Sequence, residues 1–168
     1  LSVLAGGRFS HDAIPFAPVT AVGVVDLDRL ASLLDASAPA LVSVMLANNE
    51  TGAIQPVSEI ADIVHAARGF LHVDAIQAFG RIPIDITKLK ADCLTVSAHK
   101  LGGPKGIGAL VVADGVHGLA AAIRGGGQEQ GRRAGTENVV GIAGVGAGAA
   151  AAGVPPEIPW AGSGNTGW

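Results

Sequence analysis

Short apolar runs recur along this chain, separated by stretches whose apolar positions fall at helical spacing. Leu41–Leu46, Phe70–Val73, Cys93–Val96 and Gly108–Val112 are near-continuous and short, as strands of a buried, mostly parallel sheet should be. Between the first two, Ile60, Ile63, Val64 and Ala67 predict a helix facing the sheet, capped by Ser58 and ended by Gly69. Leu27, Leu30, Leu33 and Leu34 repeat that spacing after Asp26, a good N-cap. Pro18 to Val25 predicts a further short strand, and Asp85 to Lys90 a single helical turn after the Ile82-Pro83-Ile84 frame. Residues 116–123 are expected to be helical. Gly125 to Gly135, with its glycines and paired arginines, should hold no regular structure, and Thr136 or Glu137 should open a small-residue helix that stops before Pro155. Gly6, Gly7 and Pro15 make residues 1–17 loop-like. Strand alternating with helix predicts an α/β fold, a three-layer α/β/α sandwich with a mostly parallel sheet.

Composition narrows the picture without identifying it. A chain of 168 residues is one domain with room for a real core. The formal net charge of -3, scattered Lys and Arg, and few aromatic residues speak against a nucleic-acid partner. No apolar window is long enough for a membrane span, and the Ala/Gly stretch from Gly141 to Gly153 is too short and small-sided. A single cysteine excludes an internal disulfide and fits a reducing, cytoplasmic setting. Glycine and proline are abundant but not periodic, so the chain reads as loop-rich rather than collagenous.

The chemistry concentrates where strands end. One run closes on Ser97-Ala98-His99-Lys100, at the mouth of a loop built of Gly and Pro. Such strand ends are where α/β sheets bind ligands, and a poorly hydrated amine there becomes a nucleophile toward carbonyls. Alone, Lys100 reads as a surface lysine. A second strand, Phe70-Leu71-His72-Val73, ends in Asp74, with Gln77 one turn later. A lysine amine and a carboxylate at the tips of two strands are what pyridoxal 5'-phosphate requires: the amine takes its aldehyde, and the acid keeps its ring nitrogen protonated. Taken singly, Asp74 caps a turn equally well, and Asn48-Asn49 reads as turn chemistry. Lys105, between Pro104 and Gly106, reads as a solvated loop charge. Cys93, within an apolar strand, reads as core, and His11, His65, His72 and His117 receive no role.

Four motifs resemble those of cysteine desulfurases, in the class V aminotransferase group of fold-type I pyridoxal phosphate enzymes. They are Asn48-Asn49-Glu50-Thr51-Gly52, His72-Val73-Asp74-Ala75-Ile76-Gln77, Ser97-Ala98-His99-Lys100, and the segment Gly125–Asn138 that contains Arg132-Arg133-Ala134-Gly135-Thr136. The likeness runs from about Val42 to about Ala149, in the family's order and spacing. It implies that residues 1–153 are a partial large domain, the central part of one, and that 154–168 form an irregular tail. It further implies that Lys100 carries pyridoxal 5'-phosphate as a Schiff base and moves the substrate's α-proton. Asp74 would pair with the ring nitrogen, Gln77 and Asn49 would lie on the phenolate side, and Ser97, Ala98 and His99 would hold the phosphate. Thr136 would reach the cofactor of a second subunit, so a homodimer is implied; without the resemblance that segment reads as a solvated basic loop. The implied reaction converts L-cysteine to L-alanine, passing sulfur to an enzyme cysteine and on to an acceptor or scaffold protein for iron–sulfur clusters or thio-cofactors. That cysteine is expected on a downstream loop, not at Cys93. The alternatives are a selenocysteine lyase, a class V aminotransferase, or a catalytically inert fragment. No metal site is expected.

Overall fold

A computed structural model describes residues 9–34 and 38–154. The loop expected at Gly6 and Gly7, and the irregular tail beyond Val154, lie outside the described residues.

The four apolar runs become four strands: β1 (Leu41–Met45), β2 (Phe70–Asp74), β3 (Cys93–Ser97) and β4 (Gly108–Val112). They form one sheet in the order β1-β2-β3-β4, with β1, β2 and β3 parallel and β4 antiparallel to β3. The fold is therefore α/β with a mostly parallel sheet. Register is explicit: Met45 lies beside Asp74, Asp74 beside Thr95, and Ser97 beside Gly108. The three parallel strands thus finish at one end of the sheet. β4 can return so closely because Gly108 packs against the Val96 carbonyl, where a side chain would not fit.

One face of the sheet is apolar. Leu71 and Val73 are fully buried there, Leu94 and Val96 nearly so, and Val42, Val44, Ala109 and Val111 extend the layer. Helix α2 (Val57–Ala66) covers it with Val57, Ile60, Ala61 and Val64, none more than 1% exposed. Each large aliphatic side chain buried this way contributes about 1.5–3 kcal/mol. Helix α1 (Leu27–Leu33) adds Leu30 and is capped as expected, Asp26 accepting from the Arg29 N–H at 3.1 Å. The turn Ile86–Leu89 (α3) starts at Asp85, whose carboxylate accepts from the Thr87 and Lys88 N–H groups. The opposite face carries Ser43, His72, Asp74 and Thr95.

Several expectations need correction. The cap of α2 is Pro56 rather than Ser58: the Pro56 carbonyl accepts from Ile60, and Ser58 falls inside the first turn. That helix ends at Ala66, and its left-handed residue is Arg68. Gly69 is needed for another reason, since a Cβ there would meet Val64 at 2.9 Å and the Ala40 carbonyl at 3.1 Å. Pro18 to Val25 is a tight reversal instead of a strand, bridged only at Val19 and Val25, because Gly23 turns the chain at a φ of 78°. Residues 116–123 form no helix; Gly118 is left-handed, and Leu119 and Ile123 are exposed. Gly125 to Gly135 is irregular as expected: Gln128–Gly131 closes one short turn, with Glu129 and Gln130 inside it in the left-handed region. The final helix, α4 (Val139–Ala151), is opened by Asn138, whose side chain accepts from the Gly141 N–H, rather than by Thr136 or Glu137.

Candidate active site

The site begins where β1 leaves the sheet. Asn48 donates its N–H to the Ala53 carbonyl, and its side-chain oxygen accepts from Glu50 and Thr51 at 2.8 and 2.9 Å. With Gly52 at a φ of 73°, this is a closed turn, and the Asn48 side chain is consumed in making it. Asn49 is left exposed, its amide donating to the Glu50 carboxylate at 2.6 Å. A cleft of about 270 Å³ runs beside the turn, with Asn48, Asn49 and Gly52 on one wall and Gln77, Arg81 and Ile82 on the other.

Asp74 ends β2 on the face opposite Val73. One carboxylate oxygen accepts from the Ile76 N–H at 3.0 Å, which starts the turn carrying Gln77. The other oxygen makes no hydrogen bond among the described residues. Two positions earlier, His72 acquires a place that the sequence did not assign. Its Nδ1 lies 2.7 Å from the Ser43 hydroxyl and its Nε2 3.2 Å from the Thr95 hydroxyl, so one ring ties β1, β2 and β3. Burial holds its pKa below the usual histidine value, and the nearby Asp74 charge only partly offsets that.

The end of β3 supplies the rest. Ser97 lies on the same face as Asp74 and Thr95, its hydroxyl 2.7 Å from His99 Nδ1. The chain then makes a single 3-10 turn, Ala98–Leu101, that presents Lys100. Ala98 anchors this turn: it is fully buried, its N–H donates to Ile107, and its carbonyl accepts from Gly103. Gly102, at a φ of 79°, ends the turn. Gly103 permits close packing, since a Cβ there would lie 3.0 Å from the Ala98 Cβ and 3.2 Å from the Gly144 carbonyl.

Lys100, Ser97, Ala98, His99, Asp74, Gln77 and Asn49 therefore all fall at one end of the sheet. Thr136 does not join them. It stands in the exposed segment before α4 and makes no hydrogen bond to the strand-end residues. Lys105 is exposed in its loop. Cys93 is buried at the opposite end of β3, where burial first and the Asp92 charge second push its thiol up to about 11. Arg81 was missed from sequence. It donates to the Gln77 and Lys100 carbonyls, and no motif marks a side chain whose partners are backbone atoms.

Taken as chemistry, the cluster offers a primary amine, a carboxylate with one oxygen unengaged, a hydroxyl–imidazole pair and two carboxamides beside a cleft. That donor set fits an anionic aromatic aldehyde such as pyridoxal 5'-phosphate. The family model for class-V aminotransferases matches residues 8–152. The chain belongs to the class-V aminotransferase family. Among its relatives, a cysteine desulfurase of Gluconacetobacter diazotrophicus is 49% identical over 133 residues, which is 79% of this chain and 33% of that protein. The cysteine desulfurase IscS of Methanosarcina thermophila is 45% identical over the same length, 79% of this chain and 32% of that one. The chain thus spans about one third of the relatives it matches. Among solved structures, a NifS-like protein from Rickettsia africae ESF-5 superposes with a TM-score of 0.74 at 41% identity, covering 81% of this chain and 38% of its own. SspA in complex with cysteine superposes with a TM-score of 0.73 at 35% identity, covering 80% and 38%.

Proposed function

We propose that this class-V chain is a segment of a pyridoxal-phosphate-dependent cysteine desulfurase. One observation carries the reading: Asp74 and the strand that delivers Lys100 are parallel neighbours, in a register that ends both at the same edge of the sheet. When bound, pyridoxal 5'-phosphate withdraws electrons from the substrate's α-carbon. Lys100 would supply the amine that holds the cofactor's aldehyde and would carry the substrate's α-proton. The unengaged oxygen of Asp74 would pair with the ring nitrogen and keep it protonated. The Ser97 hydroxyl and His99, on the turn that Ala98 anchors, would hold the phosphate, and Gln77 and Asn49 would serve the phenolate side from the cleft.

L-cysteine as substrate is supported by the desulfurase relatives and by the neighbour whose structure contains cysteine. Thr136, displaced from the cluster and exposed, suits a contact to a second copy, so a homodimer belongs to the proposal. So do a sulfur-accepting or scaffold protein, a role in iron–sulfur or thio-cofactor assembly, and a cytoplasmic setting; the setting rests on the one free thiol. Cys93 is not the sulfur acceptor, because a buried thiol with so high a pKa is neither ionised nor exposed. This chain by itself is therefore expected to release little sulfide.

The test adds pyridoxal 5'-phosphate to the purified chain and records its visible absorbance. A long-wavelength band that Lys100→Ala abolishes supports the reading. Absence of the band in the unaltered chain overturns it. Alanine and sulfide release from cysteine then measures turnover, and brisk release would show the assignment of Cys93 to be wrong.

A further inference from the structure

We infer that Arg81 is a positioning residue that locks the Lys100 turn against the Gln77 turn, fixing where the lysine amine stands. The inference rests on the reading of Lys100 above. Its basis is a pair of hydrogen bonds from one guanidinium: Nη1 donates to the Gln77 carbonyl at 3.1 Å, and Nη2 to the Lys100 carbonyl at 3.0 Å. These carbonyls belong to separate loops, one after β2 and one after β3. The 3-10 turn Ala98–Leu101 is only one turn long, so its last carbonyls have no partner within the turn. Arg81 satisfies one of them with a charge-assisted bond, and its fork links the two loops through their carbonyls.

Packing around the turn leaves few other ways to hold it. Gly80, at a φ of 75°, lies against the Leu101 side chain, and a Cβ there would also come within 2.9 Å of Ala152, so Leu101 would have to shift to admit it. On the far flank α4 comes in on glycines: a Cβ at Gly144 would lie 2.6 Å from Pro104, and one at Gly148 would lie 3.3 Å from the Leu101 carbonyl. The lysine turn is thus wedged between the chain at Gly80 and α4. The Gly80 side holds Leu101 and α4 holds Leu101 and Pro104, while Arg81 is the side chain that hydrogen-bonds the Lys100 carbonyl among the described residues. Arg81 also lines the cleft beside Asn49 and Gln77, so its fork joins the lysine turn to the wall the cofactor would touch.

The experiment uses the full chain with Arg81→Gln and Arg81→Lys, and reads three quantities. Amide exchange is followed over Ala98–Gly103, with α2 as internal reference. Pyridoxal 5'-phosphate is offered, reduced onto the protein with borohydride, and located at Lys100 or Lys105 by peptide mass. Thermal unfolding reports global stability. For Arg81→Gln the expectation is about tenfold faster exchange over Ala98–Gly103 and about tenfold less label on Lys100, with α2 and Lys105 unchanged. Arg81→Lys, which keeps the charge but reaches one carbonyl, should fall between, and it carries the test if the glutamine variant fails to fold. Exchange and labelling equal to the unaltered protein would overturn the inference, as would loss of protection spread equally through α2. If the unaltered chain takes no label at Lys100 while the exchange difference persists, the cofactor reading fails and the clamp stands.

Discussion

The two regions assigned to the same chemistry are built in opposite ways. The strand-end cluster stands on a sheet whose register puts Met45, Asp74 and Thr95 side by side, and a buried Ala98 anchors the lysine turn. The segment Arg132–Thr136 has no such support. It follows two non-glycine residues in the left-handed region, Glu129 and Gln130, and its backbone ties run to the preceding loop, from Arg132 to Glu129, Arg133 to Gln128 and Ala134 to Ile123. Arg133 turns back on its own loop, bonding the Ala134 and Gly135 carbonyls and pairing with Glu129 at 3.3 Å. A sheet fixes its functional groups by hydrogen-bond register. A glycine-rich loop fixes them only when something else packs against it.

That contrast can be broken at several points. The largest effect is expected at Lys100: Lys100→Ala should remove the cofactor absorbance band entirely. Beneath it, Leu71→Ala should destabilise the sheet by about 2–5 kcal/mol, read from the denaturant midpoint, because a fully buried side chain leaves a cavity. Next is the thiol at the far end of β3. With its pKa raised from 9.0 to about 11, Cys93 should alkylate at pH 8 about a hundredfold more slowly than an unperturbed thiol, from the thiolate fraction alone.

A smaller effect belongs to His72. Its folded pKa is depressed, so the unfolded chain takes up the proton first as pH falls. Stability should be full above about pH 6.5, decline below it, and level off once the folded imidazole also protonates. His72→Gln should flatten that slope, measured by urea unfolding at a series of pH values. The smallest effect is expected at Thr136: Thr136→Ala should leave the band of the isolated chain within about twofold and its stability within about 0.5 kcal/mol. A large loss there would mean that the exposed loop folds onto the strand ends after all.

Much of this was legible in the sequence, for identifiable reasons. Apolar runs such as Cys93–Ser97 are short and bounded, so the strands and their alternation with helices could be read directly. The motif positions around Asp74 and Ser97 follow, since they lie at strand ends. What could not be read is what depends on partners distant in the chain. The reversed direction of β4 rests on the fit of Gly108 against Val96. The place of His72 needs Ser43 and Thr95 in register beside it, and that of Arg81 needs two carbonyls from different loops. The expected helix at 116–123 failed because Gly115 and Gly118 take left-handed dihedrals and Leu119 and Ile123 stay largely exposed, so burial does not support it.

The antiparallel return of β4 bears on the order of assembly. Strands β3 and β4 meet through a short loop, whereas the β1–β2 and β2–β3 pairings must wait for helices or longer crossovers. Closing a short loop loses less chain entropy, so the Cys93–Val112 hairpin should gain amide protection earliest in pulse-labelled refolding. The bend bearing the reactive amine would then exist before the strand bearing its acid partner has docked.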